Sequence, residues 1–376
     1  MGFLNSSCSF TRFRVIDPVP DELWAEIPQL LKNGAFLDID ESAESQADGW
    51  VSFDDYLDTT WKAGPPEIGD FIAFSLRVDT RRIPAGVVRK HLILALKREK
   101  AENEKNGKKF ISRDRRKELK ELVQLFLRRR FLPVPGVFNV IWDTVNSEIW
   151  FASTQEKIIE LFVQRFLATF ELHIEQLTPS ALALSMLGDA AEEKIHSADT
   201  SDESPDGMLG QDFLTWLWFK SEDEPGFARN AAGYPFLVSM EERVTVTGFH
   251  GFDRETTSVT SSVLEEARVG LHRGKKVSRA LIHLSMGDYS ADVSVKAADF
   301  SLNSMRAQKA TTKTDISDGD DDPDALFYEK TYFIEKTAKL LDALYRQFLV
   351  LRLDKDKWDK TTSEMQLWMS RGGSHD

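Results

Sequence analysis

Apolar and polar positions follow two periods along the chain, and each change of period marks an element. In the stretch SFTRFRV, Phe13 and Val15 alternate with Arg12 and Arg14, the pattern of a strand with one apolar face. Asp21 then reads as the cap of a helix to about Leu31, with Leu23, Ile27 and Leu30–Leu31 on one side. Pro28 inside that span predicts a kink or a restart, because proline offers no backbone N–H. Gly49–Phe53 and Phe71–Arg77 predict strands, separated by a loop rich in Asp, Pro and Gly.

Two helices are predicted next. Pro84 suits a first helical turn, and Val88, Leu92, Ala95 and Leu96 recur as a core stripe. Asn106-Gly107 breaks the pattern. Ser112 is a good N-cap for a second helix to about Arg129, although Arg115 stands where a capping box carries Glu. Leu119, Leu122, Val123 and Phe126 form its apolar side. Arg113, Arg116, Lys117 and Lys120, at i, i+3, i+4 and i+7, form a separate side, a rigid comb of cations over an apolar opposite face.

Pro133–Pro135 ends that helix, and Val137–Trp142 with Glu148–Ala152 predicts a hairpin across Asp143–Ser147. An amphipathic helix over Gln155–Phe170 and a strand over Leu172–Leu177 follow. Asp189–Gly207 is acidic and nearly free of large apolar residues, which predicts a linker or disordered insert. Beyond it come a Trp-rich segment (Phe213–Phe219), strands near Phe236–Thr247 and Arg254–Val259, and a helix ending at Gly270–Gly274. Strands near Lys276–Met286 and Tyr289–Lys296 precede an acidic break with six Asp between Asp315 and Asp324. The last helix carries Leu341, Leu344, Phe348 and Leu351 at heptad-like spacing, a seam for the protein's own body or for a second subunit, intramolecular packing being the commoner outcome. No internal repeat is present. The class predicted is α+β, with mixed, mainly antiparallel sheets and a basic helical hairpin over 84–130. The regions expected are 1–188, an acidic linker 189–207, a second α+β region 208–310, an acidic loop 311–324, and a C-terminal helix and tail 325–376.

Composition narrows the class. With 376 residues, 41% apolar and 29% charged, wholesale disorder is excluded. The longest uncharged stretches, such as Leu177–Gly188, fall short of the ~18–20 residues of a spanning helix. The opening MGFLNSSCSFTRF lacks a basic region followed by an apolar one, so no secretory signal is read there. A single cysteine, Cys8, permits neither an internal disulfide nor a cysteine-rich zinc site. A reducing, cytoplasmic setting is expected.

The formal charge of −13, taken alone, argues against a polyanionic partner, but its distribution argues the reverse. Arg77 to Arg130 holds 19 basic and 7 acidic residues, net +12, whereas the rest of the chain holds 29 basic and 54 acidic. A local positive field attracts phosphate whatever the total charge. The bland reading is a solvated hairpin whose charges serve solubility.

No catalytic signature is evident: there is no HExxH, no phosphate-binding Gly-rich loop, no GxSxG, and no Cys/His grouping with metal spacing. His91 beside an apolar stripe reads as a packed imidazole, and GLHRGKK at Gly270–Lys276 lacks Walker spacing. A two-metal nuclease needs clustered carboxylates with a lysine. Asp324 with Glu329-Lys330, the local candidate, fits no strand-borne arrangement. Trp216 and Trp218 read as core rather than as base-stacking platforms. Neither a metal nor a cofactor is expected.

The stretch Ile83–Phe131, IPAGVVRKHLILALKREK through GKKFISRDRRKELKELVQLFLRRRF, followed by Trp142-Asp143-Thr144-Val145-Asn146, resembles the bacterial recombination-associated RdgC family. The likeness is strong over about 70–180, takes in Leu177–Pro179, and continues with fewer matches at Glu266–Lys275 and Asp322–Lys330 with the terminal helix. The chain reads as a longer branch, with inserts near Leu37–Asp48 and Ala190–Gly207 and a tail after about Leu353.

The resemblance implies a non-enzymatic protein that encircles duplex DNA as a ring-shaped homodimer, without sequence preference, and restrains the RecA recombinase during recombination and replication-fork processing. It implies nucleoid association and no membrane. The family's gate contact uses an aromatic residue after a basic helix end, matched here by Phe131, with Leu132 as competitor. Phe131 reads equally as core at a helix end. The cations expected to line the ring and touch phosphates are Arg81, Arg82, Arg89, Lys90, Lys97, Arg98, Lys108, Lys109, Arg113, Arg116, Lys117 and Lys120, joined by Arg128 and Arg129 along the channel or across the interface. Two other classes stay open: a metal-dependent DNA exonuclease, and a protein-interaction factor acting on the recombinase directly.

Overall fold

The structure, a computed structural model, describes residues 2–62, 64–107, 110–200, 207–250, 253–260, 265–309 and 323–371. The chain forms two compact units: Met1–Val19, Trp142–Leu167 and Leu172–Asp376 in the larger, Pro20–Ile141 with Ala168–Glu171 in the smaller. The continuous region expected over 1–188 is therefore shared between them. Among the described residues, ten helices and a large, mostly antiparallel sheet place the chain in the α+β class, as expected.

After β1 (Cys8–Val15), which belongs to the larger unit, the chain builds the smaller one from α1 (Asp21–Asn33), β2 (Gln46–Ser52), β3 (Glu67–Ile68) and β4 (Phe71–Thr80). Then come α2 (Ala85–Lys105), α3 (Arg113–Arg128) and most of β5 (Val134–Asp143). The strand order is β2-β4-β5, with β3 on β4. Leu23, Ile27 and Leu31 of α1 are buried as predicted. The helix runs through Pro28 without a restart, and its cap is Pro20 rather than the expected Asp21, which stands with Glu22 in the first turn where carboxylates favour the helix dipole.

Beyond α1 the chain lies against β2, Phe36 N donating to Trp50 O at 2.9 Å and Trp50 N to Gly34 O at 3.0 Å. Only glycine at position 49 permits this, since a Cβ there would sit 2.4 Å from Phe36 Cα. The core of the unit gathers on Trp50, which meets Phe74 edge-on at 5.1 Å and donates through Nε1 to Thr169 Oγ1 at 2.8 Å.

In the larger unit β1 is the hub. It pairs with β6 (Glu148–Phe151), with β7 (Ile174–Gln176), which follows α4 (Glu156–Phe170), and with β12 (Leu302–Lys309). The sheet continues from β12 through β11 (Tyr289–Lys296) and β10 (Lys276–Met286) to β8 (Leu237–His250) and β9 (Asp253–Thr260). Its helices are most of α4, α5 (Pro179–Leu187), α6 (Glu192–Asp199), α7 (Leu209–Asp223), α8 (Glu265–His272), α9 (Pro323–Arg352) and α10 (Lys355–Arg371).

Several expectations change here. Part of the acidic insert 189–207 is ordered as α6, because Ile195 and Ala198 find a core. The tail after Leu353 is largely α10, anchored by buried Met365 and by Trp368, whose ring meets Trp218 at 5.1 Å. The seam of α9 packs internally: Leu341, Leu344 and Phe348 are buried, and Phe348 contacts Phe213 and Trp216 of α7. Trp216 and Trp218 are core. The acidic break at 311–322 lies outside the described residues. Among the described residues no helix is long and apolar enough to cross a membrane.

Candidate nucleic-acid interface

The basic segment folds as α2 and α3 joined through Asn106 and Gly107, with Gly107 at φ +71°, a conformation that costs glycine little. Ser112 caps α3 as predicted, its side chain accepting from Arg115 N at 3.2 Å. Arg115 ties the two helices together. Its guanidinium donates to both carboxylate oxygens of Glu99 on α2 (2.9 and 3.0 Å) and pairs with Glu118 at 2.9 Å. These hydrogen bonds, to Glu99 first and then to Glu118, hold the Arg115 pKa above its usual value.

Burial on α3 departs from the expected two-sided pattern. Leu119, Val123 and Leu127 are buried, whereas Leu122 and Phe126 are exposed. At 100° per residue the comb of Arg113, Arg116, Lys117 and Lys120 points about 70° to one side of the buried stripe, and Leu122, Leu125 and Phe126 about 110° to the other. The helix thus presents a cationic flank and an exposed apolar flank, divided by its buried stripe. On α2 no residue is fully buried; the expected core stripe Val88, Leu92, Ala95 and Leu96 is only half-covered.

Arg82, Arg89, Lys90, Lys97, Arg98, Arg113, Arg116, Lys117, Lys120 and Arg129 are exposed, and Arg128 is half-buried. Among the described residues none of these has an ion-pair partner. Four of the hairpin's six acidic residues are spent on others: Glu99 and Glu118 on Arg115, Glu104 on Lys100, Glu102 on Lys105, while Asp114 and Glu121 are exposed on α3. Lys108 and Lys109 lie outside the described residues.

Arg81 is a correction. It is buried, and its guanidinium is consumed by carbonyls: Nε donates to Glu44 O (2.9 Å), Nη1 to Arg128 O (2.7 Å) and Phe131 O, and Nη2 to Ile39 O, Asp40 O and Ser42 O. It satisfies free carbonyls at the C-terminal end of α3 and fastens that end to the 39–44 loop, so it has no donor left for phosphate. Phe131 is half-buried with its backbone held by Arg81 and Leu127, whereas Leu132 is 69% exposed.

Leu122 and Phe126, expected on the packed side of α3, instead belong with Leu125 to an exposed apolar flank. Phe126, 44% exposed, lies between His91 (ring centroids 5.9 Å apart) and the Arg130 guanidinium, 4.0 Å from its ring centre. The Leu122-x-x-Leu125-Phe126 spacing is the sequence signal for this flank. Among the described residues no group of three or more His, Cys, Asp and Glu is placed to hold a metal ion. No protein-family model matches the chain, and no curated protein matches it.

Proposed function

We propose that the α2–α3 hairpin binds the sugar–phosphate backbone of duplex DNA without reading its sequence. The observation that carries this is the row of exposed cations on two helices, without ion-pair partners among the described residues, in a chain of net charge −13. Each phosphate neutralised steepens the salt dependence by about 0.9 in log–log slope, so a handful of contacts makes binding strongly salt-sensitive.

The family resemblance extends the proposal: a homodimer that closes around DNA, associates with the nucleoid and restrains RecA by limiting its access, acting as a binder rather than an enzyme. The exposed apolar flank at Leu122, Leu125, Phe126 and Leu132 supports self-association, being surface better covered by a second copy than by water. Replacing Leu122 and Phe126 by Asp is expected to lower the sedimentation coefficient at equal concentration if that flank joins the copies.

The test is a titration on linear and circular duplex across a salt series, with magnesium present and the DNA checked for shortening. Slower escape from the circle supports encirclement, and equal escape overturns it. Loss of DNA length points to a nuclease. Charge reversal of Arg113, Arg116, Lys117 and Lys120 together is expected to abolish DNA binding and recombinase restraint in parallel. Restraint that survives assigns the effect to a protein contact instead.

A further inference from the structure

The larger unit carries a cleft of about 910 Å³ along one side of α9, which the DNA-binding reading does not use. Tyr332, Leu340, Ala343 and Val350 form its α9 wall, and Met186 and Met286 face them. Four cations line it, Arg229, Lys336, Lys339 and Arg346, against two carboxylates, Glu335 and Asp342. Both carboxylates are already committed: Glu335 pairs with Lys339, and Asp342 is held by Arg12. The other three cations are oriented by neutral groups. Lys336 Nζ donates to the Tyr332 hydroxyl at 2.9 Å and sits 4.6 Å from the centre of the Tyr289 ring. Arg346 donates to Met186 O at 3.1 Å, and Arg229 to Ala228 O at 2.9 Å. Among the described residues none of these three is paired with a carboxylate.

Three aimed positive charges between apolar walls favour an anion that brings apolar surface with it, because low-polarity surroundings strengthen the attraction and reward burial. A single small anion leaves most of the cleft unused. Lys336 and Arg346 stand ten residues apart on a helix, about 15 Å, the span of roughly four to five residues of extended chain. Two methionines supply the adaptable surface that suits varied apolar side chains. Between the cations the walls offer a phosphodiester little to bond, whereas they can cover Leu or Phe. From this we infer that the α9 cleft is a docking site for a short acidic peptide of a partner protein, its carboxylates meeting Arg229, Lys336 and Arg346 and its apolar side chains resting on Met186, Met286 and Leu340. The inference does not depend on the DNA-binding reading.

The test is fluorescence anisotropy on the full chain with a labelled peptide of about ten residues that alternates Asp with Leu and Phe. Replacing its Asp by Asn, or its Leu and Phe by Ser, is each expected to weaken binding at least about tenfold. Arg346→Glu and, independently, Ala343→Trp, which fills the cleft without changing charge, are expected to do the same while leaving duplex DNA affinity unchanged. Equal binding of the Asn peptide, wild-type affinity in both variants, or no binding below about 1 mM overturns the inference. Displacement of the peptide by an equally charged single-stranded oligonucleotide at matching concentration reassigns the cleft to nucleic acid.

Discussion

Arg12 reaches Asp342 across 330 residues of sequence and holds it with two hydrogen bonds of 2.7 Å. The same guanidinium grips Glu148 at 2.6 and 3.1 Å, so one cation serves two carboxylates inside the larger unit. Burial lifts the Asp342 pKa above its usual value against the pull of Arg12. Burial also acts on Glu148, but there the Arg12 charge and the hydrogen bonds from Arg12 and Trp150 prevail and hold it low.

Removing the cation leaves two half-buried carboxylates without their counter-charge. Arg12→Met is expected to cost about 3–5 kcal/mol in urea unfolding, whereas Asp342→Asn, which removes the excess negative charge, costs about 1 kcal/mol or less. The pH dependence follows from the raised Asp342 value. The folded state holds that proton more tightly than the unfolded chain, so the stability of the wild type relative to Asp342→Asn falls as pH rises from the usual 3.8 through the raised folded value. A difference between the two proteins that grows with pH contradicts the assignment.

Arg81 and the comb separate stability from binding. Arg81→Ala leaves six backbone carbonyls without their donor and is expected to lower the unfolding midpoint clearly. Lysine does not rescue it, because one ammonium cannot reproduce the planar fork. Affinity for duplex DNA per folded molecule stays at the wild-type level. A selective loss of DNA binding without destabilisation would return Arg81 to the interface.

Arg116 and Lys117 behave oppositely. Changing both to Gln is expected to leave stability within about 0.5 kcal/mol and to reduce the log–log salt slope of duplex binding by about 1.8. An unchanged slope places these side chains away from phosphate.

Much of the smaller unit was legible in the sequence because its signals are local. Ser112, the change of period after Gly107 and the i, i+3, i+4, i+7 cations mark α3 without reference to anything distant. Arg81 was misread because its partners come from the 39–44 loop and the end of α3, which the chain brings together only on folding. Likewise β12 escaped notice: LNSMRAQK alternates weakly, and its strand character rests on β1 and β11 at its sides. In α10 the buried positions Thr361, Met365 and Trp368 are sparse among polar neighbours, so the amphipathic pattern is faint until Trp218 supplies a surface to cover.

Cys8 is buried on β1, and burial pushes its pKa up to about 12. At pH 8 the thiolate is roughly one part in ten thousand, so native protein is expected to resist alkylating and disulfide-forming reagents and to react at the rate at which β1 opens. Rapid stoichiometric labelling of the folded protein contradicts this placement.

The absence of any fully buried residue along the twenty-one of α2 has a kinetic consequence. Only half-covered contacts and the Glu99–Arg115 tie hold its turns, so its amide protons are expected to exchange with water before those of the β1 hub. Like charges crowded along the helix add to that restlessness, and a polyanion laid across them removes it. Docking and stiffening of this arm are then one event, visible as exchange that slows in the α2–α3 hairpin and most of all in α2.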